Sequence, residues 1–342
     1  MLSSIAAEAS DADRRNGLIK AYRANCEAIS LSPDDGREQI PDDIVWIDLI
    51  NPTRTEEQYV EKLLGLELPT REDLKDIEPS SRLYMEDGNV FMTASLVWKA
   101  DSDGPRLTDV AFILAGKRLV TIRYAEPKSF HLFTAAITRV PHEMRSGTAL
   151  LLKLLETIVD RTAEILENSV AGIDNLAADL LGSQARSKRK APRYLEDRLT
   201  NIAAYHRLIS KVRDSLASLA RLQTFLSTSG QVQQDKEARE QSKSIGRDIQ
   251  SLSEHASFVS GNLTFLLDAS LGIINIEQNG IIKIFSIASV VFLPPTLVAS
   301  VYGMNFQLMP ELNWTFGYPL ALVVMLMSAI IPFLFFRWKG WL

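Results

Sequence analysis

Residues 298–323 read "VASVYGMNFQLMPELNWTFGYPLALV": one apolar run stops at Val301, a short polar and aromatic patch follows, and a second apolar run opens at Tyr318. The run behind the patch, Ile284 to Val301, is eighteen residues without a charge. Ile281 and Ile282 extend it backwards, and Lys283 is near enough to its end to reach a membrane interface. The run ahead, Pro319 to Phe336, is a second charge-free eighteen, with Tyr318 and Trp338 as interfacial anchors. A buried core helix accounts for one such run. Two in tandem, both ending in aromatics, point to a pair of membrane spans.

The flanks give an orientation. Arg337 and Lys339 follow the second run, Lys283 and Arg247 precede the first, and the intervening loop 302–318 carries one acid, Glu311, and no base. The excess of positive charge on cytoplasmic flanks then puts both termini in the cytosol and the loop outside.

The whole-chain averages hide this segregation. The 342 residues are 46% hydrophobic and 23% charged with net charge −5, yet residues 281–342 carry almost none of that charge. Mild acidity argues against a nucleic-acid partner, which requires a dense basic face. The single cysteine, Cys26, excludes an internal disulfide and suits a reducing compartment. The opening "MLSSIAAEASDADRRNG" has no apolar core of signal-peptide length, so an exported N-terminus is not expected.

Residues 1–140 read as an α/β domain. "DIVWIDL", "NVFMTASLVW", "TDVAFILAG" and "KRLVTIRY" are strand-like runs rich in β-branched and aromatic residues, the last two forming a hairpin at Gly116. "TRTEEQYVEKLLGLE" is helical by period. Residues 141–280 change to long helices. One places Leu151, Leu154, Ile158, Ile165 and Leu166 on a single stripe before the basic "RSKRKAPR" (Arg186–Arg193), either a solvated turn or a lipid-binding patch. A second runs to about Thr228, and "STSGQ" turns the chain. No proline occurs from Gln234 to Pro294, which predicts one near-continuous helix from Gln234 to Tyr302, roughly 100 Å long. Residues 281–342 are the two-span domain.

Steps of three and four through the first span, from Asn279, meet Ile282, Ser286, Ser289, Leu293, Thr296 and Ser300; the opposite side carries Ile284, Ile287, Val291, Val298 and Val301. Such a seam serves close helix packing, or lines water. In the second case Leu293, Ile282 and the neighbouring Phe285 are apolar constrictions that gate by dewetting. Two spans cannot enclose a pore, so that reading demands several copies. Pro294 and Pro295 free backbone carbonyls, which a wet seam tolerates better than lipid. Gly303 is positioned to end the helix in the left-handed conformation, and Tyr302, Phe306 and Trp314 sit at headgroup depth.

"YGMNF", "MPEL" and the terminal "KGWL", with "NIEQNGIIKIFSIASVVFLPPTLVAS" before them, resemble the CorA magnesium transporter family in its proteobacterial form. The resemblance is specific over about the last ninety residues and collinear through "VWIDL", "LKDIEPSSR" and the hairpin. It implies an α+β membrane protein of the bacterial inner membrane: a homopentameric funnel with a cytosolic N-terminal domain, a long helical stalk and two C-terminal spans joined by a periplasmic loop. It implies a filter at Gly303, Met304 and Asn305, and a pore lined by Asn279, Ile282, Phe285, Leu293, Thr296 and Ser300, with Ser286 and Ser289 on the same seam. Tyr302 and Glu311 belong to the outer mouth. Ile282 and Leu293 replace longer or more flexible gating side chains of other members.

A filter of neutral oxygens suits hydrated Mg²⁺, which gives up its waters reluctantly, and a soft-metal carrier would show Cys/His clusters. His131, His142, His206 and His255 are scattered without ligand spacing. There is no Walker A loop. A divalent ion moving inward gains roughly 4.6 kcal/mol per 100 mV, twice the single-charge figure, so no ATP is needed. The expected function is a Mg²⁺ (also Co²⁺ and Ni²⁺) channel driven by the membrane potential, with no cofactor. Its partners would be further copies of itself, lipid and divalent cations, with Mg²⁺ both substrate and regulatory ligand. The family senses cytosolic Mg²⁺ through carboxylates between subunits, which carries over to Asp76 in "LKDIEPSSR" with Asp248 in "GRDIQSL" as its partner; the alternative is that both are solvated surface acids. The zinc/proton branch of the superfamily is disfavoured by Phe306 and "MPEL" after Gly-Met-Asn. A membrane-anchored coiled-coil scaffold is the competing class. No nucleophile–base pair suggests an enzyme.

Overall fold

The structure, a computed structural model, describes residues 17–25, 27–36, 39–76, 78–102, 104–139, 146–182, 194–304, 309–310 and 314–341. The predicted Asn305 and Glu311 sites, Phe306, Cys26, His142 and the basic stretch at 186–193 therefore lie outside the described residues. The chain divides into two units, Met1–Leu266 and Leu267–Leu342.

Among the described residues seven strands form one sheet in the first unit: β1 (Leu18–Arg23), β2 (Ala28–Leu31), β3 (Ile44–Ile50), β4 (Leu83–Glu86), β5 (Asn89–Trp98), β6 (Arg106–Ala115) and β7 (Arg118–Arg123). The order is β2-β1-β3-β7-β6-β5-β4. Only the β3–β7 pair is parallel, Asp48 opposite Thr121, and every other pair is antiparallel. Gly116 makes the tight β6–β7 turn with φ 58°, a left-handed conformation natural to glycine.

Both faces of the sheet are covered, which is why β3 is buried along almost its whole length. On one face Ile47, Leu49, Ile113 and Val120 meet Val60 of α1 (Arg54–Leu64) together with Leu68 and Leu74. Thr53 starts α1 with a reciprocal capping box to Glu56. Between α1 and β5, α2 (Pro79–Arg82) runs directly into β4. On the other face Trp46, Met92, Phe112 and Leu119 pack against Phe130 and Phe133 of α3 (Lys128–Ile137) and against α4 (Gly147–Leu181) and α5 (Tyr194–Thr228). All five stripe residues predicted on α4 are buried there.

A polar network crosses this apolar layer at the parallel junction. Trp46 Nε1 donates to Thr121 Oγ1 (2.9 Å), which donates to Asp48 Oδ1 (2.7 Å). Arg123 Nη2 closes on Asp48 Oδ2 at 2.9 Å, its guanidinium over the Phe130 ring. Charges so deeply buried are tolerated only when paired and hydrogen-bonded.

After α6 (Gly230–Gln233), one helix, α7, runs from Lys236 to Tyr302 over 67 residues, with Pro294 and Pro295 inside it. It begins in the first unit, where Ile245, Ile249, Val259 and Leu263 join the core, and continues into the second. The last helix is α8 (Gly317–Trp338). Both α7 and α8 contain stretches long and apolar enough to cross a membrane, and only 6% of each stretch is buried within the chain. So much uncovered apolar surface requires lipid or other copies to cover it.

Candidate functional site: an uncovered hydroxyl seam

The apolar part of α7 has two unlike faces. Ile287 is 6% exposed, and Ala288, Val291, Pro294, Pro295 and Val298 are partly covered. These residues recur at helical spacing and share one side. Asn279, Ile282, Phe285, Ser286, Ser289, Leu293, Thr296 and Ser300 are all exposed, on the other side. Ser289, Phe292, Leu293, Thr296, Leu297 and Ser300 line one open groove along the helix. The hydroxyls predicted on one seam are thus brought together on a surface this chain does not fill. The predicted opposite side holds only in part: Ile287, Val291 and Val298 are covered, whereas Ile284 and Val301 are exposed.

The hydroxyls are oriented by their own backbone. Ser289 Oγ donates to the Phe285 carbonyl (2.9 Å) and Thr296 Oγ1 to the Phe292 carbonyl (2.7 Å). With its proton committed one turn back, each hydroxyl presents only acceptor lone pairs to the groove. Oxygens of that kind receive hydrogen bonds from the waters around a hydrated cation. Between them Leu293, 65% exposed, projects as the apolar element of the same groove.

At the outer end of α7, Gly303 is not left-handed, contrary to the expectation from its sequence position. Its N–H still reaches the Ala299 carbonyl (2.9 Å), and the Met304 N–H reaches Val301 (3.3 Å). The turn therefore tightens rather than reverses, and the carbonyls are satisfied without a positive φ. A Cβ at Gly303 would stand 3.2 Å from the Ala299 oxygen, a close approach that a larger residue could occupy only with a small shift of that turn. Tyr302 and Met304 are exposed here, as is Trp314, which meets Phe316 edge-on. At the other end the Lys283 ammonium lies 5.6 Å from the centre of the Trp341 ring. The start of the first apolar run is therefore beside the end of the second, as a hairpin crossing a membrane twice requires.

In the first unit Asp76 closes a 3₁₀ turn (Asp73–Lys75), and its carbonyl accepts from Arg82 Nη1 at 3.3 Å. Asp76 and Asp248 are both exposed. The acid that feels Asp248 is Asp160 on α4, whose carboxyl is pushed above the usual range by burial and then by Glu156 and Asp248, against the opposing pull of Lys153. Sequence reading missed Asp160; the Glu156–Asp160 half of its surroundings is a local i, i+4 pair of like charges on one helix face, whereas Asp248 comes from a distant element. Among the described residues no three His, Cys, Asp or Glu side chains converge to hold a metal. His131 instead pairs with Glu126, and His255 stacks with Phe258.

Residues 41–338 match the family model of the CorA-like Mg²⁺ transporter protein. The chain belongs to the CorA family. It is 36% identical over 326 residues to the magnesium transport protein CorA of Pectobacterium atrosepticum, covering 95% of this chain and 100% of that protein. Against the magnesium transport protein CorA of Escherichia coli K12 it is 37% identical over 300 residues, covering 87% and 92%. The fold agrees with that of the complete CorA magnesium transporter from Methanocaldococcus jannaschii, with TM-score 0.73 at 21% identity over 96% of this chain and 99% of that one. CorA proteins are transporters rather than enzymes. The sheet-containing N-terminal part, the long helix and the two apolar C-terminal helices are those of this family.

Proposed function

We propose that this chain carries Mg²⁺ across the bacterial inner membrane through a pore made by five copies, each turning the hydroxyl seam of α7 toward a common axis. The observation that carries the reading is the division of α7: its seam hydroxyls lie on the uncovered side, among apolar residues, and the covered side at 287–298 holds no hydroxyl. A helix meant only to sit in lipid gains nothing from exposing acceptor oxygens to hydrocarbon.

Hydrated Mg²⁺ enters at a ring of Asn305 carboxamides, with Gly303 and Met304 shaping the turn and Tyr302 and Glu311 at the mouth. Repeated Glu311 carboxylates raise the local cation concentration. The ion keeps its waters, which donate to the seam oxygens of Ser300, Thr296, Ser289 and Ser286. Rings of Leu293, Phe285 and Ile282 close the path by dewetting when the helices approach, and Asn279 follows toward the cytosol. With both termini inside, the potential drives entry: about 4.6 kcal/mol per 100 mV supports a gradient on the order of a thousandfold. Co²⁺ and Ni²⁺, which also travel hydrated, share the path.

Closure is regulated by cytosolic Mg²⁺ at Asp76 and Asp248, both exposed and so available to a neighbouring copy. Bound ion would cancel carboxylate repulsion between copies, and its loss would let the long helices splay. The test of transport is Mg²⁺ uptake in a strain lacking its own transporters. The parent restores uptake and Asn305→Ala loses most of it; a variant as active as the parent removes the filter from the account.

A further inference from the structure

A second polar site lies in the first unit, away from the seam. Residues 104–106, at the start of β6, and one face of α5 border an open cleft of about 350 Å³ lined by Gly104, Pro105, Arg106, His206, Arg207, Ser210 and Lys211. That volume falls at the lower end of small-molecule sites, roughly 300–1,000 Å³. Three cations and a histidine line it, and no carboxylate does among the described residues. This is unusual for a protein of net charge −5.

Most other arginines packed on the sheet have acid partners: Arg82 with Asp109, Arg118 with Asp42, Arg123 with Asp48 and Arg161 with Asp101. Arg106, Arg207 and Lys211 have no ion pair among the described residues. Their convergence follows from the fold. His206, Arg207, Ser210 and Lys211 sit at i, i+1, i+4 and i+5 on α5 and so share one side of it. Arg106 is the first residue of β6, opposite Trp98 in the β5–β6 register, and Pro105 fixes the backbone just before it. Like charges held together are repulsive until an anion joins them.

We propose that this cleft binds a phosphate-bearing anion, with Arg106 and Arg207 available for two-pronged contacts to phosphate oxygens, Lys211 as a point charge and the Ser210 hydroxyl as a further donor. The chemistry suits a soluble polyphosphate or the phosphomonoester headgroup of a lipid.

Binding of inorganic pyrophosphate to the full chain in neutral-lipid nanodiscs, measured calorimetrically in metal-free buffer, tests the proposal. The parent should bind saturably, one per chain. Arg207→Gln with Lys211→Gln should weaken binding at least tenfold, whereas Arg239→Gln with Lys243→Gln, an equal loss of charge from exposed positions on α7, should change it less than twofold. Added vesicles containing phosphatidic acid separate the sources. Attachment to them that depends on Arg207 and Lys211, without pyrophosphate binding, assigns the same cleft to a headgroup. The proposal is overturned if neither probe binds saturably, or if both pairs of substitutions weaken binding equally.

Discussion

Ile287 and Ser289 stand two residues apart on α7, and the first is 6% exposed while the second opens on the uncovered groove. At 100° per residue they point some 200° apart, so the helix has a packed side and an open side. If the open side faces other copies, Ser289→Cys in a Cys26→Ser background should form interchain disulfides readily under mild oxidant. Ile287→Cys should form far fewer. Equal cross-linking at both positions would mean that the seam does not face an axis.

The Asp48–Arg123 pair ties β3 to β7 where the sheet changes from antiparallel to parallel, with both side chains almost wholly buried. Arg123→Leu leaves a carboxylate in an apolar layer and should cost about 3–5 kcal/mol. Adding Asp48→Asn should recover part of that loss, because the buried charge is then gone. Thermal unfolding of the single and double variants checks both directions, and a double variant less stable than the single would contradict the argument.

Asp160 gives a pH signature. Its raised carboxyl pKa, caused first by burial and then by Glu156 and Asp248, means that the native fold holds this proton more tightly than the unfolded chain. The sign follows: the group's penalty is fully present above the raised pKa and is relieved as pH falls through it toward the ordinary carboxylate range. Because Asp160 is also exposed to solvent, which screens its acidic neighbours, Asp160→Asn should be only slightly more stable than the parent at neutral pH, with the difference shrinking on acidification. Melting curves across that window would show the opposite trend if the carboxylate were instead held ionised by a partner.

The proposed regulation at Asp76 and Asp248 is tested separately. Lysines at both positions should abolish the response to cytosolic Mg²⁺, since no carboxylate is left there to bind the ion and like positive charges keep the copies apart. Entry of a tracer divalent cation into liposomes under a fixed inside-negative potential should then be nearly the same at high and at low internal Mg²⁺. Normal dependence on internal Mg²⁺ in Asp76→Lys with Asp248→Lys would remove these carboxylates from the sensor.

How much was legible in the sequence followed the strength of local patterns. Strands β3, β5, β6 and β7 are apolar runs buried between two layers, and α4 and α7 carry long uninterrupted periods, so each announces itself. Strands β1, β2 and β4 escaped because two are only four residues long and none shows a clean apolar/polar alternation, with Leu18, Ala28 and Met85 exposed, leaving tertiary pairing to decide them. Helix α3 also escaped, although Phe130, Phe133 and Ile137 at helical spacing behind Pro127 were a readable signal. The seam was legible because it depends on periodicity alone. The Asp160–Asp248 neighbourhood and the basic cleft were not, since each joins elements far apart in sequence through a fold that no local pattern encodes.

The central claim is that ions pass along the open side of α7, and chemical blockade of flux tests it most directly. Mg²⁺ entry into liposomes under an inside-negative potential would be followed for Thr296→Cys and Val298→Cys, each with Cys26→Ser, before and after a positively charged thiol reagent. The account predicts that flux through Thr296→Cys falls at least tenfold on modification while Val298→Cys is unchanged. Undiminished flux through fully modified Thr296→Cys, or a block confined to Val298→Cys, would contradict it.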